Sequence, residues 1–152
     1  MITEFFMSEL VFEYEKDFYG WLLHNAKLIR DGRFSEIDAQ NVAEELEGMG
    51  RGEKRELVSR LSVLLAHLLK WTYQPQKRSK SWKYTITEQR QQVFDVLDDS
   101  PSLTYDLDEK FARAYKRAIL MAAKETKLRE RTFPANCPFS KEQTLDENFY
   151  PQ

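Results

Sequence analysis

One cysteine, Cys137, stands in 152 residues, so no disulfide can form within the chain, as expected of a reducing cytoplasm. Glycine and proline number only five each, too few for a long disordered or low-complexity segment. No apolar run approaches the roughly 18 residues of a membrane span. The longest, Leu61 to Leu69, is interrupted by Ser62 and His67. The opening stretch MITEFFMSELVFEYEKDF has no basic region ahead of an apolar core, which argues against a secretory signal. An excess of either charge is also missing, with 23 basic against 25 acidic residues. That balance gives no general pull toward nucleic acid or an anionic membrane. There is no glycine-rich phosphate loop, no Gly-x-Ser-x-Gly elbow and no Cys-x-x-Cys pair, so the commonest local signs of catalysis or metal binding are lacking.

Helical periodicity is plentiful. Tyr14, Phe18, Trp21 or Leu22, Asn25 and Leu28 or Ile29 predict a first helix over Glu13–Arg30. Asp31-Gly32 stops it, with glycine suited to a left-handed cap. Ser35 reads as the N-cap of a second helix with Asp38 as its capping partner, carrying Ile37, Val42 and Leu46 and ending near Gly48–Gly52. A third spans Glu53 to about Tyr73, with Leu57, Leu61, Leu64, Leu65 and Leu68 marking it as the most buried. A fourth is expected over Ser81–Asp98 and a fifth over Leu103–Lys127, with one further turn at Lys141–Leu145. Residues 1–12 read as an arm. The fold class is all-α: an antiparallel bundle of four to five helices in a single domain over residues 1–152, with the bundle at 13–127 and a wrapping tail at 128–152. A chain this long can bury about 70% of its unfolded surface, enough for a core without metals.

The densest stretch is HLLKWTYQPQKRSKSWKYTITEQR, His67 to Arg90. Together with Asp17-Phe18-Tyr19-x-Trp21, Asp31-Gly32-Arg33-Phe34, Glu44-Glu45-Leu46-Glu47-x-Met49-Gly50, Pro101-Ser102-Leu103, Phe133-Pro134 and Cys137-Pro138, it resembles the domain of unknown function 29 family, bacterial helical proteins found mostly in cyanobacteria. The resemblance runs from about Tyr14 to Pro151. It implies an α-helical fold and carries no activity, cofactor or catalytic residue with it.

His67 is the leading titratable candidate. Its plain role is an imidazole satisfied by a carbonyl or carboxylate. A sharper role needs Glu44, Glu45 or Glu47 brought beside it by an antiparallel hairpin of the second and third helices. His67 and two carboxylates could then ligate a divalent metal, with Asp17 or His24 completing the shell. The spacing matches no recognised metal motif, and no metal or other cofactor is assigned. Arg60 lies seven residues before His67 on the same helix, about 10 Å away along one face, a pair that resembles a short pattern in helical-bundle ribonucleases. Trp71 and Trp82 flank the basic loop with Lys77, Arg78 and Lys80. Their plain role is to staple two helices; their functional role would be a stacking platform for single-stranded nucleic acid. Arg90 is expected to fork onto Glu44 or Glu45 inside the bundle. Cys137 has no basic neighbour nearer in sequence than Arg131 and Lys141, so nothing activates it.

Three functions follow in order. The first is a non-enzymatic helical module that binds a protein partner or itself. The second is a hydrolase directed at nucleic acid, or a metal-binding enzyme, using His67 with Glu44, Glu45 or Arg60. The third is nucleic-acid binding without catalysis through Trp71, Lys77, Arg78, Lys80, Trp82 and Arg90. No membrane association is expected.

Overall fold

A computed structural model describes residues 2–152, with side chains from Glu9 onward. All regular structure among these residues is helical: α1 (Ile2–Lys16), α2 (Phe18–Arg30), α3 (Ala39–Tyr73), α4 (Lys80–Asp99), α5 (Leu107–Thr126) and α6 (Lys141–Leu145), joined by short 3-10 turns. The all-α expectation holds. The chain divides into two compact units, Met1–Arg51 and Gly52–Gln152.

In the first unit, residues 2–12 of the expected arm form the first part of α1, Met1 lying outside the described residues, and the expected helix over Glu13–Arg30 is cut at Asp17. Asp17 leaves helical geometry (φ −146°, ψ 80°) and its side chain accepts the Gly20 N–H at 3.1 Å, capping α2. Gly20 leaves room for this cap, because a Cβ there would lie 2.5 Å from Asp17 Oδ2 and would displace the capping carboxylate. At the other end Gly32 takes φ +72°, the left-handed conformation that ends a helix without a Cβ clash. Leu10, Trp21 and Leu28 form the core, with Tyr14, Ile37 and Val42 against it.

Asp38 is buried just ahead of α3 and binds far more than a capping partner would. It accepts Trp21 Nε1–H at 2.9 Å and Asn41 Nδ2–H at 2.8 Å, and its backbone N–H donates to Asn25 Oδ1 at 2.8 Å. Asn25 in turn donates to the Trp21 carbonyl at 2.9 Å. Every polar group of this small core therefore has a partner, the condition for burying it.

The predicted break at Gly48–Gly52 does not occur. Both glycines and Gly50 lie inside α3, a single 35-residue helix. Glu53–Glu56 downstream are helix formers, no proline intervenes, and the backbone has no better partners than the next turn.

In the second unit, Leu57, Leu61, Leu64, Leu65, Leu68 and Leu69 of α3 are essentially sealed. They share one core with Ile86 and Val93 of α4 and with Ala114, Tyr115 and Ala118 of α5. Ser79 caps α4 by accepting the Trp82 N–H. Pro101–Thr104 is a 3-10 turn, so α5 starts at Leu107 rather than Leu103. The tail packs on this core through buried Phe133 and Phe139 and half-buried Phe149 and Tyr150. Its one helix is α6, closed by a capping box of Ser140 and Gln143. The Tyr115 hydroxyl donates to the Pro134 carbonyl at 2.5 Å, and burial pushes its pKa up to about 12.

Candidate functional site

The basic segment between α3 and α4 folds back on the end of α3. Arg78 Nε donates to the Trp71 carbonyl at 2.8 Å, one of the last-turn carbonyls a helix leaves free, and its guanidinium lies 5.0 Å from the Trp71 ring centroid. Lys70 is buried, reaches Glu125 Oε2 at 2.7 Å and sits 4.7 Å from the Trp82 ring. Lys83 lies 5.9 Å from Trp71 and 5.5 Å from Tyr150, whose ring is 5.1 Å from that of Trp71. The two tryptophans thus have cations of their own chain against their rings. Of the six nominated binding residues, Trp71, Arg78 and Trp82 are drawn into this cluster. Lys77 and Lys80 stay exposed and join no ion pair among the described residues.

Arg90 is only 2% exposed. Its fork does not reach Glu44 or Glu45. Nε donates to the Thr144 carbonyl at 2.9 Å and Nη2 to the Phe149 carbonyl at 2.7 Å, while its plane lies 5.5 Å from Tyr150. It buckles the tail onto α4. Burial lowers its pKa, with Tyr150 and Asp146 opposing. Nη1 and the adjacent Gln89 Oε1 have no protein partner.

The catalytic and metal candidates each have other attachments. Because α3 runs unbroken from Ala39 to Tyr73, the hairpin that was to carry Glu44 and Glu45 to His67 is not formed. Glu45 accepts the Tyr14 hydroxyl, and this hydrogen bond to the carboxylate raises the Tyr14 pKa. Glu44 is exposed. Arg60 pairs with Glu56, one turn back, at 2.8 Å. His67 is half-buried with Nδ1 2.9 Å from the Val63 carbonyl; since a carbonyl only accepts, Nδ1 carries the proton. Burial lowers its pKa, with Lys70 adding to the effect and the Val63 hydrogen bond opposing. No group of three or more His, Cys, Asp or Glu side chains suited to a metal occurs among the described residues. Burial also raises the Cys137 thiol, the opposite of what a nucleophile needs.

Two features of the first unit went unpredicted. One is a cleft of about 330 Å³ lined by Glu9, Leu10, Glu13, His24, Lys27, Leu28 and Arg33, in which His24 Nδ1 meets Glu13 Oε2 at 2.7 Å. The other is the outer face of α2. Trp21, Asn25 and Leu28 point into the core, while Phe18, Tyr19, Leu22, Leu23 and Ile29 are 41% to 72% exposed. At 3.6 residues per turn, Phe18, Ile29, Leu22, Ala26, Tyr19 and Leu23 follow one another round an arc of about 140°. His24 and Lys27 occupy the opposite flank, toward the cleft. The signal was present in the sequence as an ambiguity: Trp21 or Leu22, and Leu28 or Ile29, fitted the helical period equally well. Both edges are apolar, and one unit buries only one of them.

Residues 13–150 match the model of the family described as Domain of unknown function DUF29. The chain belongs to this family. The match takes in all of α2 and the tail through Tyr150, so the apolar face and the Arg90 buckle both lie within the DUF29 region. No curated protein and no solved structure matches the chain. No described helix is long and apolar enough to cross a membrane.

Proposed function

We propose that this DUF29 protein is a non-enzymatic helical interaction module, and that the outer face of α2 is where it meets a protein partner. The observation that carries this reading is the contiguous exposed arc of Phe18, Tyr19, Leu22, Leu23 and Ile29. Single exposed apolar residues are ordinary, but a contiguous patch is what protein interfaces present. The concentration is local. Ten of the fourteen large hydrophobics exposed among the described side chains fall within Val11–Met49, and only Tyr84, Phe94, Tyr105 and Leu120 lie beyond it. A helix apolar around most of its circumference is stable in water only when more than one face is covered.

The separate engagements of His67, Glu45 and Arg60 give the hydrolase reading no assembled group of residues. The occupied tryptophan rings do the same for base stacking. A cytoplasmic, bacterial setting belongs to this reading, on the ground of the lone Cys137 and the family resemblance.

A photo-cross-linking residue placed at Leu23 in the full chain, and at exposed Lys124 of α5 as the comparison, tests the reading in intact cells. Position 23 is expected to give a discrete protein adduct on irradiation and position 124 none. Absence of an intermolecular adduct at position 23, or equal labelling at both, rejects α2 as the docking face.

A further inference from the structure

We infer that one end of the second unit binds the phosphate backbone of duplex nucleic acid, without regard to base sequence. This goes beyond the reading of α2, which concerns the other unit and a protein partner.

The end is assembled from two segments far apart in sequence. Lys70, near the end of α3, reaches Glu125 Oε2, near the end of α5, at 2.7 Å and lies 4.7 Å from the ring of Trp82 in the first turn of α4. Tyr73 meets Phe133, with ring centroids 5.2 Å apart. Residues 70–83 and 124–131 are therefore neighbours. Together they hold nine of the chain's 23 basic residues and two of its 25 acidic ones, a charge of +7 in a chain of net −2. The overall balance thus conceals one strongly basic end. Lys77, Lys80 and Lys83 on the first segment are exposed, as are Lys124, Lys127, Arg129 and Arg131 on the second. None of these seven joins an ion pair among the described residues. Helix dipoles do not account for them: two C-termini and one N-terminus meet here, together about half a negative charge. Lys127 is held there at a cost. It takes φ +62° at the C-cap of α5, a conformation in which glycine carries less strain.

What this end lacks selects the partner. The rings of Trp71 and Trp82 face Arg78 and Lys70 of their own chain at 5.0 and 4.7 Å, which leaves Tyr84, 75% exposed, as the uncovered aromatic beside the cations. A single strand is held by successive stacked bases, and one ring is too few. A bilayer needs apolar side chains to insert, and a protein interface needs an apolar centre poor in charge. Here Leu128 is half-buried and Phe133 is buried. A duplex asks only for cations. It presents one phosphate charge per about 1.7 Å of axis, about a dozen across the roughly 20 Å spanned by three packed helices.

Fluorescence anisotropy of a labelled DNA duplex of about 20 base pairs, titrated with the full chain, tests the inference. Saturable binding is expected at about 50 mM salt, alike for two unrelated sequences. Its log K should fall linearly with log salt at a slope of about −4, the counterion release of four to five phosphates. Lys77→Glu with Lys80→Glu, and separately Lys127→Glu with Arg129→Glu, are each expected to weaken binding at least tenfold with helix content and Tm unchanged. Should a pair unfold, Lys77→Gln with Lys80→Gln is expected to weaken binding at least threefold. Arg55→Glu with Arg113→Glu makes the same change of charge at exposed positions away from this end, and is expected to alter binding less than twofold. No binding at that salt, or equal losses in all three charge-reversal pairs, overturns the inference. Tighter binding of the single strand, of phosphatidylserine vesicles or of poly-glutamate overturns it in favour of that partner. None of these results bears on α2, whose test reads protein adducts at position 23.

Discussion

Asp38 illustrates how much one side chain can hold. It satisfies Trp21 and Asn41, while its own N–H is held by Asn25. Asp38→Ala should therefore leave the indole N–H of a 1% exposed tryptophan without a partner. The expected loss is about 3 kcal/mol, read as a lower urea midpoint together with a shift in tryptophan fluorescence. His67 makes the pH prediction. Burial holds its pKa below the usual 6.5, so the unfolded chain takes up this proton before the folded chain does. The stabilisation from neutral His67 is complete above about pH 6.5 and is lost as the pH falls through the folded-state pKa. Urea midpoints measured from pH 7.5 to 5 should fall less steeply for His67→Gln than for the wild type; equal slopes would show that His67 takes no part. These two residues also mark the limit of a reading from sequence. His67 on a carbonyl was among the expectations. The partners of Arg90 were not, because a guanidinium invites a search for carboxylates, whereas backbone carbonyls belong to every residue and leave no mark in the sequence.

At the level of elements, what could be foreseen was whatever rests on local chemistry. The limits of α6 were matched as Lys141–Leu145, and α4 differs from its expected span by a residue at each end, because Ser140 and Ser79 are strong local caps. The errors fell where distant packing overrides propensity. Glycines 48, 50 and 52 read as a stop, yet α3 passes through them. A helix already anchored by the sealed leucines of its second half extends through weak formers that could not have started one. Nothing lies within 4 Å of a Cβ built at Gly50 or Gly52. Gly50→Ala with Gly52→Ala should therefore stabilise the chain, each by up to about 1 kcal/mol, with a measurable rise in Tm. A fall would mean that the glycines serve a conformation other than the straight helix. The cut at Asp17 was missed for a different reason: the periodicity of Tyr14, Phe18 and Trp21 carries straight across it, and only the capping geometry reveals the break.

For the molecule as a whole, the two cores are separate in sequence. Leu10, Trp21 and Leu28 with their neighbours lie within the first 51 residues, and the larger core lies entirely beyond them. A fragment of residues 52–152 should retain a cooperative thermal transition, since its core is complete. Residues 1–51 alone should not, because a unit that small with three buried apolar side chains falls short of the entropy it must overcome. Circular dichroism melts of the two fragments check both statements. The all-α class was legible from periodicity alone. The exposed face of α2 was not, since a sequence pattern shows that a helix has two apolar edges but not which one is left uncovered.

The buckle made by Arg90 has a consequence for the order of events during synthesis. The helices α3 and α4 leave the ribosome well before the carbonyls of Thr144 and Phe149 exist outside it. Until then the guanidinium has no folded place to go and must remain in water, which keeps that side of α4 open. The second unit therefore completes its folding only after the segment from Thr144 to Phe149 has emerged, and a stall between α5 and Thr144 leaves a chain with most of its leucine core present and its closing contacts missing.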